Sequence, residues 1–188
     1  WELAETAFNE YESSKLLSDY AEANGFTLEI GVAGMPTAFV ATYGEGRPVI
    51  SVLGEFDALP GLSQDATPTK KPLTEGGNGH GCGHNLFGAA SLASAIAIKE
   101  QIENGDLKGT IKFFGTPSEE KFFGKIWMVD AGLWDDVDVN LSWHPGYYTE
   151  ADVQSTLSLI DFQVEFFGQA AHASMDPWNG RSASDALE

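Results

Sequence analysis

The order of local patterns along the chain limits the fold more than any other feature, because strand-like runs alternate with helix-like segments. Four short runs rich in β-branched and aromatic residues predict strands, at 37–43, 48–54, 109–116 and 137–144. Three segments with apolar residues at helical spacing predict helices, at 1–24, 85–103 and 122–132. Strands that alternate with helices predict an α/β sandwich with a largely parallel sheet.

Glycines mark a helix end and a turn in the first part of this pattern. Gly25 follows the opening helical segment and is expected to end that helix in a left-handed conformation. The strand-like runs 37–43 and 48–54 are separated by the residues GEGR, and this short glycine-containing separation predicts a β-hairpin.

A change of pattern near residue 154 predicts a domain boundary. Residues 155–168, STLSLIDFQVEFFG, alternate apolar and polar side chains, which is typical of an edge or half-exposed strand. We therefore assign 1–153 to the first part of one domain and 154–188 to the start of a second. Because the chain opens at Trp1 and its last residues read as the first turns of a helix, we expect it to be a fragment of a longer protein.

Charge and cysteine content narrow the class of protein. The chain carries 28 acidic against 10 basic residues, a net charge of −18, which repels phosphate backbones and anionic membranes. We therefore expect no nucleic-acid partner. No apolar run approaches the roughly 20 residues of a membrane span, so no membrane partner is expected either. The single cysteine is typical of a reducing cytoplasm.

Residues 79–85, GHGCGHN, place that cysteine between two histidines, with only glycine in between. This is not a core-strand pattern, because glycine packs nothing and loses much backbone entropy on folding. A disulfide within the chain is excluded, since Cys82 has no second cysteine to pair with. Closely spaced glycines instead let the backbone bend tightly, so that the remaining side chains converge on one point.

Polar residues also follow the predicted strands, where ligands gather in open α/β sheets. Glu55 and Asp57 follow 48–54, Glu119 and Glu120 follow 109–116, and His144 ends 137–144. Taken singly, each has an ordinary explanation as a solvated loop residue, a turn cap or a core histidine. Together with Cys82 they form a set of thiolate, imidazole and carboxylate groups that can bind divalent transition metals. Adjacent carboxylates suit metal-assisted hydrolysis, because one can bind the metal while the other takes a proton from water.

Several of these motifs match one known family. GHGCGHN, TPSEE, WHP, GQAAHAS and GRSASDAL resemble the aminoacylase and carboxypeptidase group of dinuclear metallohydrolases, in the amidohydrolase branch with a CGH metal motif. The resemblance runs over the whole chain. It implies a three-layer α/β catalytic domain interrupted by a smaller α/β lid domain that mediates dimerisation.

The resemblance also implies roles for individual residues. The implied metal ligands, for two divalent ions, are Cys82, His84, Glu120 and His144. Glu119 would be the general base and acid, and His172 of GQAAHAS would help to stabilise the oxyanion in a partner subunit's active site. Asp57 is expected to orient a ligand from outside the metal shell. Asn85 stands where many relatives carry Asp; it can still cap the following helix, but a carboxylate that would orient His84 is lost from that position.

Three further polar residues are left outside this set. Glu55 stands where the peptidase branches carry a histidine ligand, so it is not counted as a ligand. His80 lies two residues before Cys82, and Arg181 lies near a predicted helix start.

The sequence does not identify the metal: zinc and manganese both remain open, since thiolate favours zinc and carboxylate with water suits manganese.

The expected activity is hydrolysis of the amide bond in an N-acyl amino acid. GHGCGHNLFG and GRSASDAL are most similar to the versions in amidohydrolases that act on p-aminobenzoyl-glutamate. Two alternatives stay open: a general N-acyl-amino-acid or dipeptide amidohydrolase, and a non-catalytic subunit that supports a homologous active partner. The expected partner is accordingly a second copy of the chain or a homologous subunit.

Overall fold

A computed structural model describes residues 1–151 and 155–187, which fall into two compact units, Trp1–Tyr148 and Thr149–Glu188. The first unit contains a sheet and the helices that cover it. Its strands are β1 (Thr27–Ile30), β2 (Phe39–Glu45), β3 (Val49–Glu55), β4 (Gly109–Thr116) and β5 (Val139–Leu141). Its α-helices are α1 (Tyr11–Ala23), α2 (His84–Glu103), α3 (Glu119–Phe122) and α4 (Gly124–Asp130).

The five strands form one sheet in the order β1-β2-β4-β3-β5. β2 pairs antiparallel with both β1 and β4, whereas β3 pairs parallel with both β4 and β5. Four of the five strands therefore run in the same direction and only β2 runs against them. The predicted α/β fold with a largely parallel sheet is confirmed.

The predicted β-hairpin between β2 and β3 is wrong, because β4 lies between these two strands. β4 pairs with β2 from Phe39 opposite Gly115, and with β3 from Val49 opposite Thr110. Nearly all of the β4 residues are buried, on both faces of the sheet. Such a strand is most stable in the sheet interior, with a hydrogen-bonded neighbour on each side.

Apolar side chains on the two faces of the sheet form two cores. Phe113 on one face packs with residues of α1 and α2, and the adjacent Phe114 on the other face packs with Met128 of α4. Helices on both faces give three layers. The small residues of α2 allow close packing: a Cβ atom on Gly54 of β3 would lie 2.8 Å from the Gly88 Cα atom. This approach brings the start of α2 against the end of β3.

The opening helix begins ten residues later than predicted, at Tyr11. Phe8 has a φ angle of 59°, a left-handed conformation that is incompatible with a continuous helix. The Glu5 carboxylate accepts hydrogen bonds from the backbone amides of Glu12 (3.1 Å) and Ser13 (2.8 Å), which satisfies free amides at the start of α1. The predicted end at Gly25 is confirmed, with a φ angle of 87°.

Two later elements differ from the prediction in length. The segment predicted as one helix at 122–132 forms α3 and α4, which are separated at Phe123 by a left-handed conformation with a φ angle of 54°. The strand predicted at 137–144 is limited to β5, so Trp143 and His144 lie in the loop that follows it. None of the helices in the described part of the chain is long and apolar enough to span a membrane.

The second unit has little regular structure in its described part. Residues 155–168, predicted as a half-exposed strand, form no strand there, and no described segment pairs with them. A strand requires such a partner for its backbone hydrogen bonds. Gln169 and Arg181 form one antiparallel bridge, and the predicted final helix is a short 3-10 turn at Ser184–Ala186. The domain boundary near residue 154 stays a prediction.

Candidate metal centre

The glycine-rich segment before α2 turns the chain sharply into the helix. Gly83 is the N-cap of α2 and has a φ angle of 84°, which an L side chain rarely adopts. A Cβ atom there would also lie 3.0 Å from the Pro145 ring. Gly83 therefore lets the loop after β5 approach the start of α2. This close approach brings His144 beside Cys82 and His84.

His84 is the centre of the cluster and is completely buried. Its Nδ1 atom lies 2.9 Å from Asp57 Oδ1 and 3.0 Å from the Asp57 carbonyl oxygen. Because Asp57 can accept the proton of Nδ1, the Nε2 atom is left with a lone pair for a metal. The orienting carboxylate that is missing at Asn85 is thus provided by Asp57. This contact agrees with the outer role expected for Asp57.

Cys82 and His144 lie on one side of His84. The Cys82 Sγ atom is 3.5 Å from His144 Nε2, and His144 Nε2 is 3.4 Å from His84 Nε2. Trp143 fixes the loop that carries His144, because its Nε1 atom donates a 3.0 Å hydrogen bond to Ser91 Oγ on α2. Three potential ligands from two segments of the chain therefore converge on one point.

Glu119 and Glu120 approach from the end of β4. Their nearest carboxylate oxygens lie 3.9 Å and 3.8 Å from His84 Nε2, respectively. The backbone amide of Glu120 donates a 2.9 Å hydrogen bond to Asp57 Oδ2, so one carboxylate orients both His84 and the Glu pair. The Glu120 side chain is more buried than that of Glu119, with 20% and 36% exposed, respectively. The difference in exposure is the one expected if Glu120 binds a metal and Glu119 is accessible to substrate and water.

The donor atoms fit a divalent metal in number, chemistry and spacing. Cys82, His84 and His144 offer ligand atoms that all lie within 4.8 Å of one another, and so do Glu55, His84 and Glu119. Protein ligands lie about 2.0–2.3 Å from a bound zinc ion, so such separations can be spanned by one ion. The Glu120 Oε1 atom is buried and has no hydrogen-bond partner among the described residues, as expected for an atom that binds an ion.

Burial and the nearby carboxylates together shift the pKa values of Cys82, Glu119 and His84. Burial and the nearby glutamates, Glu120 first, raise the pKa of Cys82 to about 12. Burial and the Glu55 carboxylate raise the pKa of Glu119. For His84, burial alone would lower the pKa, but hydrogen bonds with Asp57 and Glu55 outweigh burial and raise it to about 10. A divalent cation would reverse these shifts by stabilising the thiolate, the carboxylates and neutral imidazole.

Sequence reasoning left two members of this cluster out of the site. Glu55 is buried, and its Oε2 atom lies 2.8 Å from His84 Nε2. Its other oxygen pairs with Lys125 of α4. Burial would raise the pKa of Glu55, but His84 and Lys125 outweigh it and lower the pKa. The position of Glu55 at the end of β3 could have indicated that it lies in the cluster. Nothing in the sequence connects Lys125 with the site.

The structure also gives the local surroundings of Asn85, His80 and His172. Asn85 does not cap α2, because the N-cap is Gly83 and Asn85 lies within the helix. His80 is buried and its Nε2 atom lies 3.2 Å from the Leu3 carbonyl oxygen. His172 and Arg181 belong to the second unit. There, the backbone amide of His172 donates a 2.9 Å hydrogen bond to Asp176 Oδ1, and the catalytic role of His172 stays a prediction.

Comparison with known proteins identifies a family match over most of the chain. The model of peptidase family M20/M25/M40 matches residues 52–185. Two different subunits of p-aminobenzoyl-glutamate hydrolase from Escherichia coli also match: one is 47% identical over the whole chain, and the other is 36% identical over 78% of it. Xaa-Arg dipeptidase from Mus musculus is 30% identical over 99% of the chain. The chain spans 36–42% of the length of these relatives.

Solved structures with the same fold include a peptidase of the M20 family. A dinuclear metal binding peptidase of the M20 family from Bacillus subtilis matches with a TM-score of 0.64 and 27% identity, over 76% of this chain and 39% of its own. The aminobenzoyl-glutamate utilization protein from Klebsiella pneumoniae matches with a TM-score of 0.63 and 21% identity, over 96% of this chain and 51% of its own. The second likeness concerns the fold alone.

Proposed function

The chain belongs to peptidase family M20/M25/M40, and on this basis we propose that the full-length protein hydrolyses the amide bond of an N-acyl amino acid. The observation that carries the proposal is the meeting of two adjacent glutamates with a cysteine and two histidines. Glu119 and Glu120 both approach within 4 Å of the His84 ring nitrogen that faces Cys82 and His144. A purely structural metal site requires ligands but no free carboxylate beside them.

Two divalent ions, manganese or zinc, are the proposed cofactors. Cys82, His84, Glu120 and His144 would hold them. Bound ions of this kind supply an acidified water and positive charge for the oxyanion. Asp57 would keep the Nδ1 proton of His84 in place, which leaves Nε2 for the metal.

Glu119 is the proposed general base and acid. Its carboxylate is partly exposed, and burial with the Glu55 charge raises its pKa, so it binds a proton more readily than a free glutamate does. It would take a proton from the attacking water and return that proton to the departing amine nitrogen. We propose that His172 donates a hydrogen bond to the oxyanion, from a partner subunit, where one good donor contributes about 3 kcal/mol.

The proposed substrate is p-aminobenzoyl-glutamate. The support is the 47% identity over the whole chain with one component of the Escherichia coli hydrolase named for that compound. A dipeptide is the competing substrate class, because Xaa-Arg dipeptidase also matches over 99% of the chain. In both classes the bond broken is an amide on the amino-acid nitrogen, so the same catalytic groups would serve.

A homologous subunit is the proposed partner, either a second copy of the protein or a related chain. Two different components of the Escherichia coli hydrolase match this sequence, at 47% and 36% identity.

The proposed location is the cytoplasm, because a single cysteine is typical of proteins in a reducing compartment.

The test is an assay of the purified full-length protein on p-aminobenzoyl-glutamate, N-acetyl amino acids and Xaa-Arg dipeptides. Each substrate is tested after chelation and after return of manganese or zinc. We expect hydrolysis of p-aminobenzoyl-glutamate at the highest kcat/KM, abolished by chelation and restored by metal. A higher kcat/KM for the dipeptides would show that a dipeptide, and not p-aminobenzoyl-glutamate, is the preferred substrate. Absence of all hydrolysis, alone and with a homologous partner present, would overturn the proposed activity.

A further inference from the structure

Glu10 is a completely buried carboxylate that lies outside the metal-binding cluster. It forms no ion pair among the residues that the structure describes. Burial of a carboxylate without a cation is unfavourable unless hydrogen bonds compensate for the lost water. The contacts of Glu10 therefore indicate why the chain keeps an ionisable group at this position.

Both oxygens of Glu10 accept a hydrogen bond. Oε2 accepts one from Thr37 Oγ1 at 3.2 Å, and Oε1 accepts one from the backbone amide of Ser118 at 3.0 Å. Ser118 is 108 positions away in the chain and immediately precedes Glu119. Glu10 thus connects the start of the chain with the turn that carries the two functional glutamates.

Ser118 has an unfavourable backbone conformation that must be held in place. Its φ and ψ angles are 54° and 43°, in the left-handed region, and its side chain is completely buried. A non-glycine residue in this region costs of the order of 1 kcal/mol or more unless its surroundings fix it. The Ser118 hydroxyl accepts a hydrogen bond from the Phe122 amide at 3.3 Å, and Glu10 holds the Ser118 amide itself.

Two buried carboxylates therefore hold the amides on either side of the Glu119 residue. Glu10 holds the Ser118 amide, and Asp57 holds the Glu120 amide at 2.9 Å. We propose that Glu10 is a positioning residue, which fixes the strained turn at Ser118 and through it the place of the Glu119 carboxylate. This inference rests on the proposed function, in which Glu119 transfers the proton.

The chemistry of these contacts predicts which substitutions preserve the position. Glutamine keeps an acceptor oxygen for the Ser118 amide, and its NH₂ group can donate to Thr37 Oγ1. Leucine has a similar size but leaves the buried Ser118 amide without an acceptor. Aspartate keeps the charge, but its side chain is one methylene shorter and does not reach both partners.

The control is Glu5, a glutamate of the same segment whose carboxylate caps α1 at Glu12 and Ser13. It forms no described hydrogen bond with residues 117–123. Glu5→Leu should weaken the N-terminal segment without altering the Ser118 turn. A variant that acts only through general stability would resemble this control.

The experiment measures kcat, KM, metal content and hydrogen exchange of the peptide 117–123 in the full-length protein. We expect Glu10→Leu to lower kcat about 10- to 100-fold, the scale of a misplaced catalytic group. KM and metal content should stay within about twofold, because no substrate or metal contact is removed. Exchange at 117–123 should accelerate in this variant. Glu10→Gln should stay within about threefold of the parent kcat, and Glu5→Leu should leave kcat and this exchange unchanged.

A kcat of Glu10→Leu equal to that of Glu5→Leu, or unchanged exchange at 117–123, would overturn the inference. If Glu10→Leu does not fold, Glu10→Asp provides the same comparison, and parental kcat in that variant is the contradicting result. If the parent protein hydrolyses no acyl-amino acid, the proposed function fails. The exchange measurement then still decides whether Glu10 fixes the Ser118 turn.

Discussion

Asp57 and His84 form a hydrogen-bonded pair beneath the candidate metal centre, with 2.9 Å between Asp57 Oδ1 and His84 Nδ1. The other oxygen of the same carboxylate accepts a hydrogen bond from the Glu120 amide. Both Asp57 and His84 side chains are wholly buried. A single carboxylate therefore sets the orientation of one candidate ligand and the backbone of another.

Asp57→Asn should weaken metal binding about 10- to 100-fold, the usual effect of removing a carboxylate that orients a histidine ligand. The neutral amide is a poorer partner for the Nδ1 proton and can accept at only one atom. The measurement is a competition titration of metal against a chelator in the full-length protein. Asp65→Asn, in an exposed loop ion pair with Lys71, is the control. Equal affinity in the two variants would refute this role for Asp57.

Cys82→Ala should reduce the bound metal per subunit and abolish hydrolysis. The thiol lies 3.5 Å from His144 Nε2, and its removal leaves two histidines at that point. Metal content by elemental analysis and activity on p-aminobenzoyl-glutamate are the two readouts. Parental stoichiometry with parental activity would mean that GHGCGHN is a structural glycine loop and no ligand segment.

Much of the fold could be predicted because its signals are local. Runs of β-branched and aromatic residues predicted β2, β3, β4 and β5, and helical spacing predicted α2, which together indicated the layered α/β architecture. The short strand β1 (Thr27–Ile30) was not predicted. The neighbours of a strand are set by tertiary contacts, however, so the sequence predicted a hairpin where β4 separates β2 from β3. The start of α1 was missed because capping by Glu5 and the turn at Phe8 interrupt an otherwise helical pattern.

The proximity of the candidate site residues could be predicted from their motifs, whereas their roles stay predictions. Cys82, His84, Glu119, Glu120 and His144 come together as proposed from their motifs. Two kinds of residue were not predictable. Glu55 was set aside because a carboxylate stands where a histidine was expected, and Glu10 acts through a contact 108 positions away that no local pattern reveals.

The stability of the protein should depend on pH through Glu10. Burial raises the pKa of Glu10 from 4.5 to about 7 in the folded state. Between these values the folded state holds more protons than the unfolded state, so the free energy of unfolding falls as pH rises. The fall is at most about 3 kcal/mol for a shift of this size.

Glu10→Gln removes this titration and keeps the hydrogen-bond acceptor for Ser118. Relative to the parent protein, the variant should therefore gain stability between pH 5 and pH 8. The measurement is urea unfolding of both proteins at each pH, saturated with the same metal. A difference in unfolding free energy that does not change with pH would show that Glu10 does not titrate in this range.

Mixed dimers test whether His172 acts across subunits. His172→Ala and Glu119→Gln proteins should each be nearly inactive, whereas a mixture that exchanges subunits should recover part of the activity. Recovery is expected because a hybrid dimer contains one site with both intact residues. Subunit exchange is verified with differently tagged chains. Exchange without recovery would mean that His172 acts within its own subunit or has no catalytic role.

Glu119 is the proposed general base and Glu120 the proposed metal ligand, and Glu119→Gln in the full-length protein tests this assignment most directly. Glu119 is the more exposed of the pair and has a raised pKa, whereas Glu120 has a buried oxygen without a partner among the described residues. We expect kcat to fall about 10²- to 10⁴-fold, the contribution of a general base, with the metal content unchanged. Loss of metal, or a near-parental rate, would contradict the assignment of base and ligand to these two residues.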